Sequence, residues 1–547
     1  MRLVSTAALV LLVSCHTPRY DVIIRHGNIY DGSGKPPVEE DIAISADTIA
    51  AIGDLGGAFA KTDIDAHGLA VAPGFINMLS WSVGSLIQDG RSQGDIRQGV
   101  TLEIFGEGDS QGPWNDSMKA EALHGQGDIK FPITWTTLGE YLDFITKKGI
   151  SPNVASFVGA TTVRQYVLGH ANRDPSPAEL TQMQDLVRAA MRDGALGVGS
   201  SLIYEPAFYA KTAELTALAK AAHEFGGIYI SHMRDENDSV LPALDELIAI
   251  SRASGAPAEI YHFKASGRAN WGKVDEMVRR IEAARAEGLH ITADMYTYPA
   301  SATGLDASMP AWVQEGGLES WRKRMLDPAV RARVTREMHG FESSGGPAGV
   351  LLVGFKTDSL KYLTGKTLAA VAALRKKSAE ETAMDLVIQD DSRIECVYFT
   401  MSEENVRREV ALPWMSFGSD GESMAPEGVF LKSSTHPRSY GNFARLLGKY
   451  VRDEQVVPLE DAVRRLTSLP ATNLGLDRRG ALKPGYFADV VIFDPRRIAD
   501  KATFEKPHQY AVGMVDVFVN GTQVLRDGEH TGAFPGRVVK KVVSGEQ

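Results

Sequence analysis

The sequence predicts an α/β protein: a distorted (β/α)8 TIM barrel with a small β-sandwich domain built from both chain ends. Three observations lead to this prediction. Apolar strands alternate with amphipathic helices through the middle of the chain, and both ends carry short strands separated by Gly and Asp turns. The chain also has 547 residues, which is too long for one small core.

The barrel is predicted between residues 73 and 475. Helices such as PAELTQMQDLVRAAMRDG and VDEMVRRIEAARAEG alternate with its strands and carry apolar residues at helical spacing. The alternation is interrupted at about residues 300–390, where we expect an insertion near the barrel mouth. The predicted buried strands are VTLEIFGE, NVASFVG, ALGVGSSL, GIYISHM, AEIYHFK, LHITADMY, ECVYFTM and WMSFGSD.

The two ends of the chain, residues 15–72 and 476–547, each read as short β-strands. The N-terminal end contains YDVIIRHGNIYDGSG, and the C-terminal end contains GYFADVVIFD and VGMVDVFVNGTQVLRDG. Asn520-Gly521 is a favourable hairpin turn between two strands. We expect one sandwich assembled from both ends, the alternative being two separate β modules.

The first residues, MRLVSTAALVLLVSC, have the features of a secretion signal, because a basic residue precedes an apolar run too short to span a bilayer. We predict a signal peptide over residues 1–14 and lipidation of Cys15, since a small residue before Cys resembles the bacterial lipoprotein cleavage box. The alternative is a plain signal peptide with an incidental cysteine. The protein would then be anchored at the periplasmic side of the bacterial cell envelope, and Cys396 would have no partner for an intramolecular disulfide.

The overall charge limits the partners. A formal net charge of -11 and a pI near 5.7 argue against nucleic acid or an anionic membrane surface as the main partner. Any contact with a membrane is expected only through the lipid anchor, and the oligomeric state is open.

Four polar side chains occupy strand ends, where the active site of such a barrel lies. Each has an ordinary explanation: a lone histidine usually packs in the core, Asp before Gly forms turns, and Glu between glycines is often solvated. Because side chains alternate along a strand, Glu103 is expected on the same strand face as Glu107. Taken together, two imidazoles and two carboxylates predict the ligands and base of a divalent-metal site, formed by His232, His262, Asp420 and Glu107.

Several longer segments resemble one enzyme family. They are GALGVGSSLIYEPAFYAKTAELTALAK, YISHMRDE, IYHFKASG, ATGLDASMPAWVQEGG, MSEENVRREVALPWMSFGSDG and HPRSYGNFARLLG. In this order they resemble the N-acyl-D-amino-acid deacylases (D-aminoacylases) of the amidohydrolase superfamily, over a range from near Val22 to about Val538. The flanking APGFI and LKPGYFADVVIFD are general to the superfamily.

The resemblance implies a role for each matching residue. His232 and His262 match the two histidines that hold the tightly bound metal, and Asp420 matches the acid/base aspartate. The residues that match the family's grip on the substrate carboxylate are Tyr204, Lys264 and Arg438. The ordinary alternatives are core packing for the tyrosine and surface charge for the other two. His436 and Tyr440 would support the loop that carries the arginine.

The chain departs from the family pattern at the first strand. Family members commonly carry His-x-His there, whereas this chain has Leu79 and Trp81. Neither side chain can bind a metal, so we expect the weaker second metal position to be absent and these residues to form pocket wall.

A second departure concerns the next strand, where family members often place a cysteine ligand. This chain reads FGEGDSQGP, with Gly108 at the expected position. Glu107 is the predicted substitute, with Glu103 and Asp109 as alternatives. A carboxylate makes the site harder, so Fe, Mn or Ni could bind as well as Zn²⁺.

These observations predict a metal-dependent amidohydrolase that cleaves N-acyl-D-amino acids, or related amides with a free carboxylate, through water activated by one divalent metal ion, Zn²⁺. The preference for the D series rests on the resemblance alone. A dipeptidase, a cyclic amidase or a xenobiotic amide hydrolase could use the same residues. The alternative from another class is a non-catalytic ligand-binding lipoprotein.

Overall fold

The computed structural model describes residues 19–541, so the predicted signal peptide and Cys15 lie outside the described residues. The strands in this range are β1 Arg19–Ile29, β2 Val38–Ser45, β3 Thr48–Gly53, β4 Phe59–Asp65, β5 Ala70–Pro73, β6 Phe75–Asn77, β7 Val100–Phe105, β8 Asn153–Ser156, β9 Val158–Gly159, β10 Gly197–Ser201, β11 Ile228–His232, β12 Ala258–Ile260, β13 Ile291–Met295, β14 Ser301–Gly304, β15 Val350–Gly354, β16 Glu395–Tyr398, β17 Met415–Phe417, β18 Val490–Phe493, β19 Met514–Val519, β20 Thr522–Arg526 and β21 Glu529–His530.

The α-helices in this range all lie between β6 and β18. They are α1 Val83–Gln88, α2 Gln93–Ile96, α3 Asp116–Gly125, α4 Leu138–Lys148, α5 Ala160–Leu168, α6 Pro177–Asp193, α7 Thr212–His223, α8 Val240–Ser254, α9 Val274–Ala286, α10 Gly317–Arg324, α11 Pro328–Glu337, α12 Leu368–Arg375, α13 Ala379–Asp390, α14 Glu403–Val410, α15 Arg438–Arg445, α16 Leu459–Leu466 and α17 Ser468–Leu474. Across residues 19–541, none of them combines the length and apolarity needed to cross a membrane.

The barrel is a closed ring of parallel strands, as the sequence predicts. Strands β6, β7 and β8 pair in that order, and β9, β10, β11, β12, β13 and β17 continue the ring. β8 and β9 are one strand interrupted at Phe157, whose N–H donates to Phe105 O at 2.9 Å. The ring closes where the N–H of Met78 donates to Phe417 O at 3.1 Å. The carboxyl ends of all these strands therefore meet at one rim.

Local sequence signals set the strand–helix units of the barrel. Helix α6 begins with a capping box between Ser176 and Glu179, and Gly194 ends it in the left-handed conformation with φ of 109°. Its inner face buries Met183 and Val187. The strands that follow, such as β10 and β11, are buried along their whole length, which is typical of parallel strands covered on both sides.

Both chain ends build one separate sheet domain, as predicted. Its sheet has the order β21-β20-β19-β18-β5-β1-β2-β3, with β4 also paired to β1. The C-terminal strands join the N-terminal ones where β18 runs antiparallel to β5, with Val491 opposite Ala72. Asn520 and Gly521 form the β19–β20 turn, both with positive φ (48° and 76°), which is the conformation a two-residue hairpin loop requires.

Between β13 and β17 the chain leaves the barrel and folds on itself. Strands β14, β16 and β15 form a three-stranded antiparallel sheet, and helices α10 to α13 pack there around a core that includes Trp321 and Leu352. The prediction that ECVYFTM is a barrel strand was therefore wrong, since its residues 395–398 form the central strand of this small sheet. A short buried apolar run has the same pattern in both settings, so periodicity could not separate them.

Candidate active site

Glu107 lies just beyond β7, between two glycines. Gly106 and Gly108 have φ of 106° and 75°, and a Cβ on Gly106 would lie 2.5 Å from Phe157 O, so the tight turn requires glycine. This turn directs the carboxylate into the barrel mouth. Its Oε1 lies 2.9 Å from His232 Nδ1 and 2.9 Å from His262 Nε2.

The two histidines come from neighbouring strands. His232 ends β11 and His262 follows β12 by two residues, and their rings lie 4.5 Å apart at an angle of 84°. His262 has φ of 37°, an unfavourable backbone conformation for a residue with a Cβ. Its N–H donates to Asp294 Oδ1 at 2.8 Å, which helps to hold this conformation.

These three side chains meet the requirements of a divalent-metal site. One ligand atom from each of Glu107, His232 and His262 lies within 4.8 Å of the others, and all three residues are buried. Two imidazole nitrogens and one carboxylate oxygen form a donor set that suits Zn²⁺ and its neighbours in the transition series.

The other two acidic residues that the sequence left open lie elsewhere. Glu103 is fully buried beneath the rim, and its carboxylate accepts hydrogen bonds from Ser80 Oγ at 2.8 Å and Ser92 Oγ at 2.5 Å. Asp109 is exposed to solvent and does not belong to the group of ligand atoms formed by Glu107, His232 and His262. The structure therefore brings Glu107, and neither alternative, to the two histidines.

Neighbouring charges shift the pKa values of Glu107 and His262 in opposite directions. Burial alone would raise the pKa of Glu107, but His262 and His232 lower it to about 2. Burial and Lys264 oppose protonation of His262, yet Glu236 and Glu107 together raise its pKa to about 10. The carboxylates of Glu107 and Glu236 thus flank the His262 ring, and metal binding would require this ring to release its proton.

Glu236 is a residue of this site that the sequence analysis missed. Its Oε1 accepts a hydrogen bond from Lys264 Nζ at 2.6 Å and lies 3.0 Å from His262 Nδ1. It therefore orients the nitrogen of His262 that does not face Glu107. Glu236 stands four positions after His232 inside YISHMRDE, and this proximity is the signal that could have identified it.

Lys264 is buried inside the cluster. Besides the contact with Glu236, its ammonium donates to His262 O at 3.0 Å and lies 2.8 Å from His262 Nδ1, so it is held within the cluster. Binding of a substrate carboxylate by Lys264 stays a prediction, and it would require the exchange of one of these contacts.

Asp420 and Arg438 form a buried pair beside the cluster. Asp420 Oδ2 lies 2.8 Å from Arg438 Nη1, and Asp420 has φ of 50°. Burial raises the pKa of Asp420 and Arg438 opposes this shift. The guanidinium lies 4.5 Å from the centroid of the Tyr296 ring, and its buried Nε has no hydrogen-bond partner within residues 19–541. That nitrogen therefore keeps a hydrogen that no protein atom accepts in the described range.

Tyr204 and His436 complete the rim. The Tyr204 hydroxyl pairs with Thr303 Oγ1 at 2.7 Å, and its ring lies 5.6 Å from that of His232. His436 Nδ1 accepts a hydrogen bond from the N–H of Arg438 at 3.0 Å. Tyr440 packs against His508 and Tyr510, so of the two predicted supporting residues His436 is the one seen bonded to Arg438.

The residues in place of the His-x-His pair differ in exposure. Leu79 is fully buried, whereas Trp81 is 39% exposed at the rim. The indole N–H of Trp81 donates to Glu107 Oε2 at 3.1 Å and to Asp420 Oδ1 at 3.0 Å. The expectation that Trp81 only forms pocket wall therefore left out a polar contact.

Comparison with known proteins agrees with the fold. The chain belongs to the amidohydrolase family, whose model matches residues 63–525. Within it, the chain is a divergent member of the D-aminoacylases: a D-aminoacylase of Alcaligenes xylosoxydans xylosoxydans is 34% identical over 529 residues, which cover 96% of this chain and 98% of that protein. The protein is therefore a hydrolase of carbon–nitrogen bonds other than peptide bonds.

Two solved structures extend this similarity. A D-aminoacylase described as having a binuclear metal centre, with one-metal activation and second-metal attenuation, has a TM-score of 0.80 and 31% identity over 95% of this chain and 100% of its own. N-acyl-D-glutamate deacylase from Bordetella bronchiseptica, complexed with zinc and a phosphonate inhibitor, has a TM-score of 0.79 and 30% identity over 96% of this chain and 100% of its own.

Proposed function

We propose that this chain hydrolyses the amide bond of N-acyl-D-amino acids, or of related amides with a free carboxylate, using one divalent metal ion, Zn²⁺. The observation that carries the proposal is the convergence of Glu107, His232 and His262 next to Asp420. The relatives named for D-series substrates support the choice of substrate.

Glu107, His232 and His262 would hold the ion. A divalent ion bound there would polarise the amide carbonyl and lower the pKa of a water molecule. The two histidines would bind through Nδ1 of His232 and Nε2 of His262, the atoms that already face Glu107 Oε1.

Asp420 would act as the acid and base. Its raised pKa, caused by burial, suits a carboxyl group that must both take and return a proton. It would accept a proton from the attacking water and pass it to the amide nitrogen, because an amine leaves far more readily than an amide anion. Arg438 holds the second oxygen of Asp420 and thereby fixes its direction.

Arg438 and Tyr204 would orient the substrate carboxylate. Tyr204 lies beside His232 and Arg438 lies beside Asp420, and the Nε of Arg438 has no partner in the described range. A guanidinium and a hydroxyl give a directional grip, which holds the scissile amide against the reacting groups. Lys264 would assist if its contact with Glu236 is exchanged on binding.

The test is amine release from matched N-acyl-D- and N-acyl-L-amino acids by zinc-loaded protein, with a chelated sample alongside. We expect zinc-dependent release from the D series. Asp420→Asn should lower kcat roughly 10²- to 10⁴-fold with little change in substrate binding. The matched control is Asp477→Asn, an exposed residue paired with Arg478, which should leave kcat unchanged.

Release from the L series alone, or full turnover by Asp420→Asn, would contradict the proposal. Absence of release from either series by protein that holds zinc would reject this substrate class. Dipeptides and cyclic amides would then be the next compounds to assay, because the same residues could act on them.

A further inference from the structure

The indole nitrogen of Trp81 lies between the two catalytically placed carboxylates. It donates to Glu107 Oε2 at 3.1 Å and to Asp420 Oδ1 at 3.0 Å. The opposite oxygens are also engaged: Glu107 Oε1 faces the two histidines and Asp420 Oδ2 faces Arg438. The indole N–H therefore joins the proposed metal ligand to the proposed acid/base.

Two carboxylates this close repel each other unless positive charge or a donor lies between them. In a two-metal site, a second cation between two acidic ligands would relieve this repulsion. Here the indole N–H lies between the two carboxylates and reduces their repulsion. An indole nitrogen is a donor only and has no lone pair to offer a metal, so a cation and the Trp81 N–H cannot occupy the same place.

The backbone holds Trp81 and Asp420 in a common arrangement. The Trp81 N–H of the main chain donates to Gly421 O at 3.0 Å, and the Asp420 N–H donates to Leu79 O at 2.9 Å. Ser82 Oγ accepts a hydrogen bond from the N–H of Ser423 at 2.8 Å. These bonds tie residues 79–82 to residues 420–423, so the indole is held at a fixed distance from the carboxylate it serves.

We propose that the Trp81 indole N–H takes the place of a second cation between Glu107 and Asp420, which limits the centre to one metal ion and makes Trp81 a positioning residue for Asp420. This inference rests on the proposed metal site and acid/base. It explains from this chain's own contacts how the loss of His-x-His is accommodated: the two carboxylates keep a shared partner although no second ion can enter.

The test counts metal ions directly. The full chain and its variants are dialysed against increasing free Zn²⁺, and bound zinc is measured by elemental analysis, with folding checked by circular dichroism. We expect the native chain to saturate at one zinc. Trp81→His should saturate at two, because the imidazole brings a lone pair to the place where the indole N–H stands.

A second variant tests the positioning role. Trp81→Phe keeps an aromatic ring without the donor, and we expect kcat to fall roughly 10- to 100-fold, the range for a displaced catalytic group, while KM changes less than about threefold. The matched control is Trp312→Phe, which also removes an indole N–H that donates to a carboxylate, that of Glu337 in the insertion. It should leave zinc content and kcat unchanged.

Two zinc ions in the native chain, or one in Trp81→His, would overturn the inference about the second cation. An unchanged kcat in Trp81→Phe would overturn the positioning role. The zinc count does not depend on the substrate. If no N-acyl-amino acid is hydrolysed but the count is one for the native chain and two for Trp81→His, the proposed substrate fails and the assignment of Trp81 stands.

Discussion

The contact between Glu236 and His262 predicts that Glu236→Gln weakens zinc binding without touching a ligand atom. Glu236 Oε1 lies 3.0 Å from His262 Nδ1 and 2.6 Å from Lys264 Nζ. The side chains of His262 and Lys264 are nearly inaccessible to solvent. Carboxylates that orient a ligating imidazole contribute roughly 10- to 100-fold to metal affinity, which is about 1.4 to 2.8 kcal/mol. We expect a loss in this range.

The loss has two physical origins. Glutamine keeps the size of Glu236 but removes its negative charge, so the ring of His262 is less firmly oriented and the buried ammonium of Lys264 has no counter-charge. Breaking one half of a buried ion pair is itself destabilising, by about 3 to 5 kcal/mol. The thermal midpoint of Glu236→Gln should therefore fall as well.

The measurement is zinc affinity by competition with a chromophoric chelator at pH 7. The matched control is Glu409→Gln, because Glu409 is also a buried carboxyl near Lys264 but has no hydrogen-bond partner in the described range. Burial raises its pKa to about 8, against the influence of Lys264, so it is mainly protonated at pH 7 and glutamine resembles that form. Zinc affinity of Glu236→Gln within twofold of the native value would refute the reasoning.

Three further outcomes are expected, two from the structure and one from the sequence before residue 19. Glu107→Gln should abolish the drop in thermal midpoint that a chelator causes in the native protein, because a ligand that binds only the folded state stabilises it; a chelator response equal to the native one would count against Glu107 as a ligand. Burial raises the pKa of Glu259 from 4.5 to about 7, so the folded chain holds this proton to higher pH than the unfolded chain does, and stability should fall as pH rises between these values, by about 3 kcal/mol once both states are ionised. Glu259→Gln should flatten that part of the pH–stability curve, and an unaltered slope would show that Glu259 is not its source. Cys15→Ala should prevent incorporation of labelled fatty acid and move the protein from the membrane fraction to the soluble fraction of cells, whereas unchanged labelling would exclude lipidation at this residue.

Much of the architecture could be predicted because it follows from local patterns. The alternation of apolar strands with amphipathic helices indicates the barrel, and the position of His232 and His262 at neighbouring strand ends follows from chain order once parallel pairing is assumed. The hairpin at Asn520-Gly521 needs nothing beyond its two residues and the strands beside them. A local pattern does not show which strands pair, so it could not assign residues 395–398 to the sheet of the insertion, where their partners lie.

The sequence by itself determined the barrel, the sheet domain from both ends and the candidate residues His232, His262 and Asp420. Only the tertiary structure decided which carboxylate joins the histidines, what Glu236 contacts, and that the indole of Trp81 bridges Glu107 and Asp420. The bonded atoms of Trp81 and Asp420 belong to residues 339 positions apart, and those of Glu107 and His262 to residues 155 apart. Side chains so distant in the chain meet through strand order and loop direction, and the residue types alone encode neither.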